Sequence, residues 1–340
     1  MNQRFTLQPI ASGLLVTAVL VAILMLAGCQ VNRYVQFGGY AQGGTWGVKA
    51  NLEGVKTRPA EIQKQIEAIL YEIDTTLSGY NKASQLSRFN RGEDVELGPM
   101  FEEVLQAATA FWKETNGALD CAAGELFDIW GFGFKTDSLP SDAMIGAALA
   151  KSGKAVWCST NAIRPVLNFN AIAQGYSCDK VAAYLYSIGV KDMLVDIGEI
   201  FCDGLNPSGK PWRVGVDRPK DGNNSPGADL DGIWESGGGP QGIVTSGNYR
   251  KFYIKDGAKY SHTIDPRTGY PVKHNLLSAT IVAPTAMAAD AYATYCMVVG
   301  VEAAKAFIES RDDLEGYLIY DEAGPGSECQ WASPGFRLAQ

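Results

Sequence analysis

Residues 251–262 read KFYIKDGAKYSH. Two β-rich runs, KFYIK (251–255) and AKYSH (258–262), flank Asp256-Gly257, and an Asp-Gly pair in that setting is a strong signal for a two-residue β-hairpin turn. Strands joined by so short a turn must run antiparallel. Other β-rich runs lie on either side: MLVDI (193–197), WRVGV (212–216), GIVT (242–245), SATIVA (278–283) and GYLIY (316–320). The polar, Gly/Pro-rich segment 218–240 is expected to be a loop.

Helical periodicity fills the intervals. Positions 61–77 place Ile62, Ile66, Ile69, Leu70, Ile73 and Leu77 on one face, with Pro59 near the start. Positions 99–115 do the same with Phe101, Val104, Leu105, Ala108, Phe111 and Trp112, and Gly117 follows as a stop. Positions 175–189 carry Val181, Leu185 and Ile188, closed by Gly189. The Ala-rich run 286–309 is the longest helical candidate. The pattern predicts an α+β fold in which antiparallel strands dominate the second half and helices pack on them.

Hydrophobic residues make up 46% of the chain and charged residues 19%, enough apolar side chain for a sizeable core and too little charge for disorder. The 38 glycines among 340 residues, about 11% against a usual ~7%, imply many tight turns and close backbone approaches. A net charge of −8 argues against nucleic acid as a partner. It leaves room for a phosphate-bearing ligand if a metal ion supplies positive charge locally.

The first residues read as an address. Arg4 precedes the apolar run 10–27, which ends in Leu26-Ala27-Gly28-Cys29. A basic start, an apolar stretch and small residues directly before a cysteine resemble a bacterial lipoprotein signal. The competing reading is a membrane anchor, since about 20 apolar residues span a bilayer. The lipoprotein signal predicts three parts: a signal peptide over 1–28, a tether over 29–39 lipidated (palmitate) at Cys29, and one domain over 40–340. The acyl chains would hold the domain on the extracytoplasmic side of the cell membrane. Gln30 follows the modified cysteine, so a retention rule based on Asp there would not keep the protein at the inner membrane; the inner membrane is nonetheless the expected one. Six further cysteines form no C-x-x-C pair and are expected to be mostly small buried residues.

Two phosphate-loop signatures fail on context. Gly237, Gly239 and Gly242 match G-x-G-x-x-G but lead into a strand, whereas a dinucleotide fingerprint needs a following helix N-terminus. Gly204, Gly209 and Lys210 approach a P-loop, but Pro211 stands where a hydroxyl should hold magnesium. Only two histidines occur, so a multi-histidine metal site is not available.

Four constellations remain. Asp290 and Thr294, four apart in AMAADAYATYCMVVG, fall on one helical face and could offer two hard oxygens to a cation such as Mg²⁺. Read from spacing alone, the pair is more often an ordinary helix face with a solvated Asp. His262, at the end of the second hairpin strand, could act as a base near neutral pH or be a structural histidine. His274 has no such setting and is expected at the surface. The run 115–133, TNGALDCAAGELFDIWGFG, combines exposed amides with aromatics, which suits a flat ring or a packed junction. In 168–180, NFNAIAQGYSCDK, a strand is expected to end and a helix to start at Gly175, with a turn carbonyl free to bind a metal.

Taken together and in order, these segments resemble the ApbE family of flavin transferases, the FAD:protein FMN transferases. The resemblance covers roughly 40–335. It is carried by Gly43-Gly44-Thr45, SGYNKASQLSRFN (78–90), NGALDCAAGELFDIWGFG (116–133), NFNAIAQGYSCDKVA (168–182), LVDIGEI (194–200), VTSGNYRKFY (244–253), YSHTIDPRTGYPV (260–272) and AMAADAYATYCMVVG (286–300). It implies a T-fold-like mixed domain with antiparallel sheets packed by helices. It further implies Mg²⁺-dependent transfer of FMN from FAD onto a Thr or Ser hydroxyl of a target flavoprotein, a subunit of a membrane redox complex or a secreted protein, with release of AMP. On that resemblance Asp290, Thr294 and the carbonyl of Ala171 hold Mg²⁺, and His262 takes the hydroxyl proton. FAD contacts are then expected at Gly43, Tyr80, Ala118, Leu119, Asp120, Asn168, Gln174, Ser246, Arg250 and Ile264. The alternatives are Mg²⁺-dependent hydrolysis of FAD to FMN and AMP, or a tethered flavin binder without catalysis.

The chain also departs from the family pattern. Asn168-Phe169-Asn170 stands where Asp-Leu-Gly is usual, Gln174 where Lys is common, a single Gly198 where two glycines are usual, and Gly43 where Met is common. None of these positions belongs to the Asp290, Thr294 and His262 set.

Overall fold

The computed structural model describes residues 33–339 except 134–138, 159–162, 221, 224, 226, 250, 251, 256, 257 and 325, and of 252–255 and 258–261 only the backbone. The signal-peptide and Cys29 expectations therefore lie outside the described residues, as does Arg250. The first elements are strands β1 (Tyr34–Ala41) and β2 (Gly44–Asn51) and helices α1 (Pro59–Leu77), α2 (Gln85–Asn90) and α3 (Pro99–Glu114). Then come α4 (Gly124–Ile129), α5 (Asp142–Leu149), α6 (Lys154–Trp157) and α7 (Ala173–Ser187). Strands β3 (Met193–Asp196), β4 (Ile200–Asp203), β5 (Arg213–Asp217), β6 (Leu230–Glu235) and β7 (Gln241–Gly247) follow. After them lie β8 (Phe252–Lys255), β9 (Ala258–Ser261), β10 (Ile264–Asp265), β11 (Tyr270–Pro271) and β12 (Leu276–Ala283). Helices α8 (Ala286–Val299) and α9 (Val301–Glu309) precede the last strands, β13 (Glu315–Asp321) and β14 (Glu328–Ala332).

Eight strands make one sheet in the order β1-β2-β3-β4-β7-β12-β13-β14, and every neighbouring pair is antiparallel. The α+β expectation holds. The β1–β2 hairpin, which the sequence did not reveal, turns at Gln42 and Gly43, both at positive φ (52° and 83°), as a two-residue hairpin loop of the primed type requires. It begins at Tyr34, so residues 34–39, expected in a tether, lie in the sheet.

The helices bury the stripes their spacing predicted. In α1, Ile62, Ile66 and Leu70 pack with Val48 and Ala50 of β2 and with Val181 and Leu185 of α7. In α3, Phe101, Val104 and Phe111 join α8 and the inner faces of β12 and β13. The opposite sheet face is closed by the β5–β6 hairpin, where Trp212, Val214 and Trp234 meet Ile243, Val282 and Ile319. Strand β6 corrects the expected loop over 218–240: its partner β5 and the apolar surface beneath it order the polar segment.

Two other expectations change. The run 286–309 is two helices, broken at Gly300, whose φ of 79° with ψ of 179° lies in a region that only glycine adopts readily. Among the described residues 163–172 before α7 there is no strand, only an isolated bridge from Ala123 to Val166, and the helix starts at Ala173 rather than Gly175. The β8–β9 hairpin forms as expected, with Phe252 opposite Ser261 and Lys255 opposite Ala258. Cys121, Cys178, Cys202 and Cys296 are buried free thiols, as their reading predicted, while Cys158 is exposed and Cys329 half-buried. No described helix is long and apolar enough to cross a membrane.

Candidate active site

Asp290 sits on the second turn of α8 and is 4% exposed. Burial raises its pKa, the Gly175 amide that donates to Oδ2 (3.1 Å) lowers it, and the negative charge of Asp179 raises it again. Among the described residues no protein donor reaches Oδ1 and no cationic side chain pairs with it. A buried carboxylate left this way wants a proton or a cation.

Thr294 lies one turn further along α8, half-buried, and no described residue bonds its hydroxyl. Ala171, in the segment before α7, lines the same cleft. There the Gly175 amide turns to Asp290 instead of back along its own helix, and no described donor reaches the carbonyl of Ala171. All three residues line one cleft of about 620 Å³. A carboxylate, a hydroxyl and a carbonyl are hard oxygen donors of the kind Mg²⁺ takes, with water or phosphate completing its shell. No group of three or more His, Cys, Asp or Glu suited to a metal occurs among the described residues, so a cation site here must use neutral oxygens as well.

The approach of α7 to α8 depends on glycine. A Cβ on Gly175 would lie 2.3 Å from the carbonyl oxygen of Ala286; strand β7 comes as near to α8, where a Cβ on Gly242 would lie 2.4 Å from the Ala286 Cα. The small side chains of Ala286, Ala289 and Ala293, all fully buried, give the same face its closeness.

The other wall is built by loops. Asn90 brackets Leu167 with two bonds of 2.8 Å, one to its carbonyl and one from its amide, and so holds the 167–171 segment. Asn168 is buried: its amide donates to the Cys121 carbonyl (2.8 Å) and its side chain accepts from the Asn170 amide (2.9 Å). It therefore shapes the turn that offers Ala171. Asp120 lines the cleft, but its carboxylate takes bonds from the Trp157 indole (2.7 Å) and the amides of Gly153 (2.8 Å) and Ala122 (2.9 Å). Burial raises its pKa and these three bonds lower it. Ala118 and Leu119, just before it, line the cleft as well.

His262 lines the cleft where the chain leaves β9, half-buried, its ring edge-on to Phe132 at 6.4 Å between centroids. Ile264 and Ser246 share the lining. Tyr80 stands on the rim, 63% exposed, and its hydroxyl accepts from the Asn170 side chain at 3.5 Å. Two expected contacts do not line the cleft. Gly43 is at the tip of the β1–β2 hairpin, which Gln42 ties to Ser177 of α7 (2.8 Å). The side chain of Gln174 donates to the Ile197 carbonyl (3.4 Å) and lies against Gly198, the single glycine of the β3–β4 turn. His274, expected at the surface, is half-buried. Its Nε2 is 2.8 Å from the Met297 carbonyl and its Nδ1 accepts from the Leu276 amide (3.3 Å), which pins the end of α8 to the start of β12.

Sequence reasoning missed Asp179 and Glu199. Glu199 lines the cleft from the β3–β4 turn. Asp179 reaches α8 from α7, and only its position four residues after Gly175 hinted at a shared face.

An antiparallel sheet packed by helices, with hard oxygens and an imidazole lining one cleft, defines an α+β protein with an enzyme-like site. Comparison with known proteins makes this specific: the ApbE family matches residues 42–318, and the chain belongs to that family. It is 33% identical to the FAD:protein FMN transferase of Escherichia coli K12, covering 94% of this chain and 95% of that protein. It is 35% identical to the FAD:protein FMN transferase of Salmonella typhimurium, covering 88% and 87%. The solved flavin transferase ApbE of Vibrio cholerae superposes with a TM-score of 0.74 at 32% identity, over 89% of this chain and 98% of that one. The apo flavinyl transferase ApbE of Pseudomonas stutzeri gives 0.76 at 31%, over 88% and 95%.

Proposed function

We propose that this chain is an FAD:protein FMN transferase that works with Mg²⁺ at the cleft described above. The observation that carries the proposal is the meeting of Asp290, Thr294, Ala171 and His262 in one cleft, in a chain whose named relatives perform this reaction. The buried carboxylate without a cationic partner, the unbonded hydroxyl and the unbonded carbonyl fit a divalent cation. Bound there, Mg²⁺ would neutralise charge on the pyrophosphate of FAD.

The chain's own groups account for the remaining chemistry. His262 accepts the proton of the acceptor hydroxyl as its oxygen bonds to the FMN-side phosphorus. The bond from that phosphorus to the bridging oxygen breaks, and AMP departs with the bridging oxygen. Tyr80 on the rim and Phe132 in the wall offer flat surfaces for the ring systems of FAD. Ala118, Leu119, Asn168, Ser246 and Ile264 shape the space around it. Asp120 acts through the loops it ties together, its oxygens being occupied within the protein.

We propose further that Cys29 carries a lipid and holds the domain at the extracytoplasmic face of the cell membrane, where the acceptor would be a membrane-complex subunit or a secreted flavoprotein.

The test is direct. Purified protein, FAD, Mg²⁺ and a Thr-containing acceptor domain should give a flavin-fluorescent acceptor band on a denaturing gel, with one AMP released per flavin attached. AMP without the band would make the protein a pyrophosphatase. Neither product would make it a flavin binder.

A further inference from the structure

We propose that Asp179 is a positioning residue for the cation site, holding the first turn of α8 against α7 so that Ala171 and the Asp290–Thr294 pair stay in register. The proposal rests on the Mg²⁺ site described above and deepens it. Asp179 is on α7, and its two carboxylate oxygens accept from the amides of Ala286 (2.8 Å) and Met287 (2.9 Å), the first residues of α8. In the opposite direction, Asp290 on α8 accepts from the Gly175 amide in the first turn of α7 (3.1 Å). Each helix thus lends a carboxylate to the backbone of the other, and the held amides include those of Gly175 and Ala286, the two residues whose close approach a Cβ on Gly175 would block.

The arrangement matters because the three hard oxygens come from two pieces of chain. Asp290 and Thr294 ride on α8, whereas Ala171 lies just before α7. Oxygen ligands around Mg²⁺ sit at about 2.0–2.1 Å in near-ideal octahedral geometry, so a small slide of one helix along the other would separate the carbonyl from the pair. Helix capping alone does not explain the grip. Thr285 already caps α8, its hydroxyl accepting from the Ala288 amide of the same helix (3.1 Å). Asp179 also adds negative charge near Asp290, which favours a bound cation there.

The experiment uses the whole protein and Mn²⁺ as the probe, with binding followed by the electron paramagnetic resonance of the free ion, with and without FAD. Four variants are compared with the wild type: Asp290→Ala, Asp179→Ala, Asp179→Asn and Thr285→Ala. Thermal melting is recorded for each. Wild-type binding that Asp290→Ala abolishes establishes the site. Asp179→Ala should then weaken Mn²⁺ by about tenfold or more, the usual range for a group that orients metal ligands. Asp179→Asn, which keeps one acceptor oxygen and stays closer to the native fold, should fall between. Thr285→Ala should lower the melting temperature and leave the Mn²⁺ affinity at the wild-type value. Two results would overturn the proposal while leaving the site intact: wild-type affinity in the folded Asp179→Asn and Asp179→Ala proteins, or an equal loss in Thr285→Ala. Failure of the wild type to bind Mn²⁺, or unchanged binding in Asp290→Ala, would remove the site and the positioning role with it.

Discussion

The two histidines show how one residue type is put to two uses. His262 lines the cleft, half-buried, in a loop that leaves its ring accessible to a substrate. Replacing it by alanine should reduce flavin transfer by about 10²–10⁴-fold, because a base acts in the transition state. FAD affinity, read by fluorescence quenching, should change by less than about threefold on the same argument. Parallel losses in both would mark the ring as a binding group rather than a base. His274 is held by Met297 and Leu276, and burial lowers its pKa from the ordinary 6.5. The unfolded chain therefore takes up this proton first, so stability is present above pH 6.5 and is lost as the pH falls through the lower folded value. Melting temperatures measured from pH 7.5 to pH 5 should drop less steeply in His274→Gln than in the wild type. Matching slopes would mean that another group governs the acid limb.

At the level of elements, the contact of α7 with α8 is the least forgiving. Gly175→Ala would place a methyl 2.3 Å from the Ala286 carbonyl oxygen. Neither helix backbone can yield without breaking the amide bonds to Asp290 or Asp179, so the substitution should cost about 1–3 kcal/mol. A urea midpoint unchanged from the wild type would show that the helices separate freely. The sequence announced some of these elements and hid others for physical reasons. Helices α1 and α3 were legible because each has a proline in its first turn and an unbroken apolar stripe. Strands β1 and β2 were not, since Gly38 and Gly39 interrupt the alternation and the Trp46 ring covers Gly39 in place of a side chain. The break at Gly300 was masked by apolar residues continuing on both sides. In the cleft, Asp290, Thr294 and His262 emerged from motif order together with their chemistry. Asp179 did not, because its targets are backbone amides 107 and 108 residues away, and its spacing from Gly175 hints at a shared helix face without pointing to them.

For the whole molecule, the two faces of the sheet do different work. Helices and the cleft occupy one, while the β5–β6 hairpin and Phe336 near the C-terminus seal the other. Attachment through Cys29 would act on the molecule as a unit: in cells fed labelled palmitate, the wild type should take up the label and Cys29→Ser should not, while the purified soluble domain of both keeps the same rate. A wild type without label would point to a spanning anchor instead. The strand order has one more result. Strand β2 finds its second neighbour in β3, with Val48 opposite Val195, and every helix from α1 to α7 lies between them in the chain. A polypeptide emerging N-terminus first must therefore hold its opening hairpin with one flank bare until the matching strand has been synthesised. Bare strand flanks seed aggregation, and distant pairings form slowly. The yield of this protein should depend on whatever shelters that flank during the wait.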